Sequence, residues 1–157
     1  FTGDYSSPTR ALRITNDGNH IREKHTRFAT RINYSSSTEA AGVRLTFHSP
    51  HVNVGSDFSS SRYTAPVDGT YAFWFFTNVA RSGSGSYYAT FKKNGSEQSS
   101  SKGGRIYDQH SGSGWNNISG CFMIDLQEGD YIEVYNGSQV VNYDGEHYGQ
   151  FMGWLVG

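Results

Sequence analysis

The chain has 157 residues and a mass of 17.4 kDa, about one domain at roughly 150 residues per domain. Lys and Arg number 13 against 14 Asp and Glu, a formal net charge of −1, so no basic footprint points to nucleic acid. Nothing approaches the ~18 consecutive apolar residues of a membrane-crossing helix. The one cysteine, Cys121, can build neither an internal disulfide nor a cysteine-based metal site.

Aromatics reach 15% and glycines number 19, with serine runs at 35–37, 59–61 and 99–101. That mixture favours short strands and tight turns over helices. Residues 1–26 are polar and basic, carrying Arg10, Arg13, Arg22 and Lys24. Within them Leu12 and Ile14 alternate before Asn16-Asp17-Gly18-Asn19, and Ile21 resumes the apolar side, which predicts a small hairpin. The segment is too poor in apolar residues to fold alone and reads as a connector. Arg27–Asn33 then alternates, as does Val43–Phe47. Tyr71–Phe76 is an aromatic run, too short for a helix, and predicts a buried strand. Tyr87–Lys93 ends in the hairpin signal Asn94-Gly95. Ile118–Leu126, Tyr131–Tyr135 and Tyr148–Val156 complete the set. About eight to ten strands with turn signals every 8–12 residues predict an all-β sandwich or jelly roll.

The spacing becomes specific over residues 47–75. Phe47 is followed after five residues by Asn53 and after four more by Phe58. Tyr63 is followed after five by Gly69, which opens Gly69-x-Tyr71-x-Phe73-x-Phe75. This resembles the signature of the complement 1q globular domain, a relative of the tumour necrosis factor fold. Two departures stand out: Tyr63 replaces the family's Phe, and the gap before it is two residues shorter. Further blocks follow in order: Phe91-Lys-Lys-Asn94-Gly95, Ser119-Gly120, Glu128-Gly129-Asp130 and Phe151-x-Gly153-Trp154. The resemblance implies an antiparallel two-sheet jelly roll over residues 27–157, behind a β-connector at 1–26. Phe47, Asn53, Phe58, Tyr63, Gly69, Tyr71, Phe73, Phe75, Gly153 and Trp154 are its core and signature positions. Gly69 is expected at a turn that needs φ > 0.

The resemblance also implies a homotrimer. Trp74 and Phe76 fall on the face opposite Tyr71, Phe73 and Phe75, and a strand apolar on both faces is buried on both. A subunit interface is the natural cover for that second face.

No catalytic constellation is legible. There is no Gly-x-Ser-x-Gly elbow, and Cys121, inside a strand beside Phe122, reads as a buried inert thiol. His48-x-x-His51 lacks a third zinc ligand. The expectation is no enzyme, no metal and no cofactor. Calcium is the one ion left open, because Tyr107-Asp108-Gln109 resembles a calcium-binding segment of some relatives with only one of its two acidic positions kept.

Recognition is expected from loops rich in aromatic, Asn and Gly residues. Tyr107, Asp108 and His110 lead into Trp115, Asn116 and Asn117, and a second cluster holds Asp144 and His147. A flat aromatic beside amide and carboxylate groups is the combination that binds sugars. Residues 10–27 look like the connector before the heads of bacteriophage tail fibres. The expected function is therefore a trimeric fibre-tip head on the virion that attaches to host surface glycan, without nucleic acid or membrane insertion. A secreted animal lectin of the same family and a purely structural trimerisation knob are the alternatives.

Overall fold

A computed structural model describes residues 13–14, 20–21, 25–33, 35–81, 85–98, 103–110, 112–137, 141–144 and 148–157. Among these residues fifteen strands form, the first being β1 (Arg13–Ile14), β2 (His20–Ile21), β3 (Arg27–Arg31), β4 (Ser35–Glu39) and β5 (Val52–Val54). There follow β6 (Phe58–Ser59), β7 (Arg62–Thr64), β8 (Gly69–Arg81), β9 (Gly85–Lys93) and β10 (Ser96–Glu97). The last are β11 (Arg105–His110), β12 (Gly114–Leu126), β13 (Tyr131–Asn136), β14 (Val141–Asp144) and β15 (Gln150–Leu155). No helix among the described residues is long and apolar enough to cross a membrane.

The strands form two antiparallel sheets and a small β1–β2 hairpin. The first sheet runs β4-β14-β8-β15-β3-β5, with β12 along the other side of β8. The second runs β10-β9-β13-β7-β6, with β11 also on β9. This is the jelly-roll sandwich that the sequence predicts.

The core between the sheets is aromatic. Tyr71, Phe73 and Phe75 of β8, Tyr87 and Phe91 of β9, and Phe151 of β15 are all fully buried. Phe28 stacks on Phe58 at 4.6 Å between ring centres and meets Phe151 edge-on at 4.8 Å. Buried tyrosines keep their hydroxyls satisfied. The Tyr71 hydroxyl donates to the Val67 carbonyl at 2.8 Å, and Tyr87 pairs with Tyr143. Tyr63 reaches Thr26 at 2.9 Å. That contact explains why a tyrosine serves where the family has phenylalanine. Burial pushes the Tyr63 and Tyr87 phenols well above their ordinary range.

The signature spacing has a physical cause. The Asn53 side chain clamps one residue twice: its amide donates to the Phe58 carbonyl at 3.0 Å, and its oxygen accepts from the Phe58 N–H at 3.1 Å. Gly153 is required by crowding, since a Cβ there would stand 2.5 Å from Phe73 and 2.8 Å from Phe28. Gly69 differs from expectation. It is not among the positive-φ glycines; a Cβ there would lie 2.6 Å from Leu155 and 3.0 Å from the Gly157 carbonyl. Close approach, not turn conformation, disfavours a side chain at that position, since Leu155 and Gly157 would have to shift.

Three other readings need correction. Val43–Phe47 alternates in burial but contributes only isolated bridges, Arg44 to Tyr135 and Phe47 to Ile32. Cys121 is exposed, not buried. Trp154 is not a core residue: on β15, Phe151 and Gly153 point inward and are buried, so Met152 and Trp154 point outward and are half-exposed. Strand alternation decides the last two cases.

Two turns show what sequence can hide. The two-residue β9–β10 turn uses Asn94 and Gly95, at φ 51° and 76°, the residues that such left-handed turns prefer. The β6–β7 turn has the same geometry with Ser60 and Ser61, at φ 49° and 61°. A non-glycine residue there costs about 1 kcal/mol or more. Ser60→Gly is expected to raise unfolding stability by about 1 kcal/mol. Ser61→Gly is expected to show no such gain, because the Ser61 hydroxyl accepts from the buried Phe47 N–H at 2.9 Å. Urea denaturation of the two variants checks this.

The β12–β13 turn is held by Asp130. It accepts from Lys93 Nζ at 2.7 Å, the Gln127 N–H at 2.8 Å and the Asn94 amide at 2.6 Å. These bonds, Lys93 first, hold its pKa down at about 2. The unfolded value is about 3.9, so the carboxylate stabilises the fold above that pH. That contribution is expected to vanish as pH falls from about 4 to 2. Asp130→Asn should flatten the acid limb of the urea midpoint plotted against pH.

Candidate functional site

The outer face of the first sheet is built by residues that alternate with the core. On β8 alternation turns Thr70, Ala72, Trp74, Phe76 and Asn78 outward, opposite the buried Tyr71, Phe73, Phe75 and Thr77, although the small Ala72 is itself covered. Register carries the pattern sideways. Cys121 of β12 lies opposite Trp74, Met152 of β15 lies on its other side, and Ala29 of β3 and Val52 of β5 continue the row. The next row holds Met123, Ala72 and Trp154. Trp74 is 42% exposed and Met123 56%. Trp74 packs on Phe76 at 6.2 Å, and its indole N–H donates to Ser119 at 2.9 Å. The result is an apolar strip along the Trp74 row, widened by Met123 and Trp154 and bounded by Arg27, Arg31, Ser119 and Gln150. Contiguous patches of this kind mark surfaces that bury against another surface.

The outer face of the second sheet is different in chemistry. Glu133 is buried beneath two guanidinium groups: Arg44 donates to it at 2.6 Å, and Arg62 at 2.9 and 3.1 Å. Burial alone would raise the Glu133 pKa. The bonds from Arg44 and Arg62 outweigh it and hold the carboxylate below its ordinary range. Arg62 also stacks on Tyr131, Lys92 on Tyr135 and Arg105 on Tyr88. The latter arginine pairs with Glu97 at 2.5 Å. This face is polar and internally paired.

The residues expected to bind ligand fall on strands rather than loops. Tyr107, Asp108 and His110 lie on β11, and Trp115, Asn116 and Asn117 on β12. These two strands are edges of different sheets, so alternation sends their side chains in three directions. Tyr107 pairs with Tyr88 and points out from the second sheet, 61% exposed. Trp115 pairs with Ala80 and points out from the first sheet, 48% exposed. It therefore shares a face with Trp74, about 20 Å along the strand. Asp108 and Asn116 meet between the sheets, where the Asn116 amide donates to Asp108 at 2.7 Å. Asn117 instead donates to Asn78 at 3.1 Å.

The second expected cluster is on β14, whose Tyr143 is fully buried. The backbones of His110 and Asp144 belong to strands, but their side chains lie outside the described residues, and His147 lies outside them altogether. Asp108 is the one carboxylate on which the calcium expectation rests, and it is held by Asn116. Among the described residues no three His, Cys, Asp or Glu side chains gather as metal ligands. Trp74 and Phe76 stand where the sequence puts them, whereas Trp154 belongs to this face and not to the core, and Met123 and Met152 join it through register alone.

Comparison with known structures places this sandwich among its relatives. The globular domain of a zebrafish complement 1qA protein aligns with a TM-score of 0.63 at 18% identity, covering 84% of this chain and 98% of that one. Eiger, a tumour necrosis factor from S. frugiperda, aligns at 0.68 and 8% identity, covering 85% and 94%. Murine APRIL aligns at 0.59 and 10% identity, covering 85% and 100%. At these identities the likeness establishes the fold. No curated protein matches the chain in sequence. The family model described as the C1q domain matches residues 14–156, and the chain belongs to the C1q domain family.

Proposed function

We propose that this domain is a non-enzymatic, homotrimeric recognition head that attaches to cell-surface carbohydrate, as at the tip of a bacteriophage tail fibre. One observation carries the reading: the apolar outer face of the first sheet, centred on Trp74. Three copies packing this face around a common axis would cover it and expose three identical sets of rims. Trp115 lies on the same face, so it serves the assembly in this reading, while Tyr107 and the strand edges stay outside.

Attachment then rests on multivalency. Three weak sites on one rigid body exceed the affinity of one site by about 10²- to 10⁴-fold without any new contact. Repeating polysaccharide is a suitable partner because it offers many copies of one epitope. The tail-fibre assignment is supported by residues 10–27, which resemble the connector before such heads. No cofactor takes part in this role.

The experiment compares the parent chain with an interface variant on immobilised host polysaccharide. Retention that falls about 100-fold or more when the assembly is split supports multivalent attachment. An intact trimer that is not retained on host polysaccharide would contradict it and leave a structural knob.

A further inference from the structure

Beside the β6–β7 turn lies a cleft of about 290 Å³, at the small end of ligand pockets. Phe47 and Phe58 form its floor, and both are buried. Ser49, Ser59, Ser60 and His48 also line it. None of these four side chains has a hydrogen-bond partner among the described residues. No Lys, Arg, Asp or Glu lines the cleft, so a charged ligand would find no counter-ion.

The turn beside it is the unusual feature. At β9–β10 the same chain builds the same left-handed turn from Asn94-Gly95, which the geometry favours. At β6–β7 it uses two serines instead. Ser61 is explained, because its hydroxyl holds the Phe47 N–H. Ser60 is strained, exposed and unbonded, and it lines the cleft. Strain held in place by its surroundings points toward a use for the strained group.

We infer that this cleft binds a single neutral sugar ring, with Ser49, Ser59, Ser60 and His48 meeting its hydroxyls above the buried Phe47 and Phe58. Serine hydroxyls both donate and accept, which matches the periphery of a pyranose. The size admits one ring rather than a chain. The inference rests on the carbohydrate reading above and assigns it to a place that the aromatic and amide motifs do not mark.

The test is a ¹H–¹⁵N correlation titration of the whole chain with methyl glucoside, galactoside and mannoside and with N-acetylglucosamine, each to millimolar concentration. At least one sugar is expected to give saturable shifts confined to residues 47–50 and 58–61. Ser60→Gly, which relieves the strained turn and keeps the fold, should weaken that binding at least fivefold. Shifts that map to β11 and β12 instead would overturn this site while leaving the carbohydrate reading intact. No shift with any sugar would overturn the site, and retention of the trimer on polysaccharide would then show whether the broader reading falls with it. Wild-type affinity in Ser60→Gly would overturn the role given to the turn.

Discussion

Trp74→Glu is expected to reduce the assembly to single chains without unfolding them. The indole is 42% exposed in the isolated chain, and its one polar bond is to Ser119 at 2.9 Å. Losing it therefore costs the monomer little. Within an interface the same change removes a buried tryptophan, typically a loss of 2 kcal/mol or more. It also leaves a carboxylate among Met152, Cys121 and Phe76, where no cation lies in the adjoining register positions. An unpaired buried charge is costly enough to shift the group's protonation or exclude water-free packing. Each protomer meets two neighbours in a trimer, so the penalty recurs around the axis. Sedimentation at micromolar concentration should give a folded monomer with a cooperative urea transition, whose midpoint no longer depends on protein concentration. A trimer of undiminished stability would place the interface elsewhere.

Phe151→Ala is expected to be the most damaging single truncation, costing about 3–5 kcal/mol. Phe151 is fully buried on β15 and is the ring on which both sheets converge. Its centre lies 4.8 Å from Phe28, 5.3 Å from Phe47 and 6.1 Å from each of Phe58, Phe73 and Phe91. Those partners come from β3, β6, β8 and β9 and from the segment before β5, so none can collapse into the gap without moving the others. Domains are commonly stable by only about 5–15 kcal/mol. The loss is a large part of that, and the variant should show a much lower urea midpoint with an unchanged slope. A cost near 1 kcal/mol would mean that the aromatic cluster repacks freely.

Much of this fold is legible in the sequence because its signals are periodic. Tyr71, Phe73 and Phe75 at period two announce a core strand, and Asn94-Gly95 announces a hairpin; both stand where expected. The Asn53 position is legible only as a spacing, and the clamp on Phe58 supplies its reason. Strands that are wholly polar or very short stay hidden. Ser35–Glu39 carries no hydrophobic residue, and Val52–Val54 is three residues long. The segment from Arg105 to Asn117 reads as loop because Gly, Ser, Asn and Asp make up seven of its thirteen residues, yet Arg105–His110 and Gly114–Asn117 lie in the edge strands of two sheets.

The candidate site was half visible for the same reason. Trp74 and Phe76 share one strand, so their common face follows from counting. Met123, Met152 and Trp154 join them only through inter-strand register, which a single sequence does not contain. Tyr107 and Trp115 are eight residues apart and read as one cluster. The sandwich places them on opposite outer faces, and no local pattern announces that separation.

The central claim is that the Trp74 face is covered by two further copies of the chain. Static light scattering of the chain at micromolar concentration tests it most directly. A mass three times 17.4 kDa is the predicted result, and it would carry the multivalent attachment model with it. A mass of 17.4 kDa would contradict the account, leaving the apolar face without its proposed partner and the domain as a single-site binder.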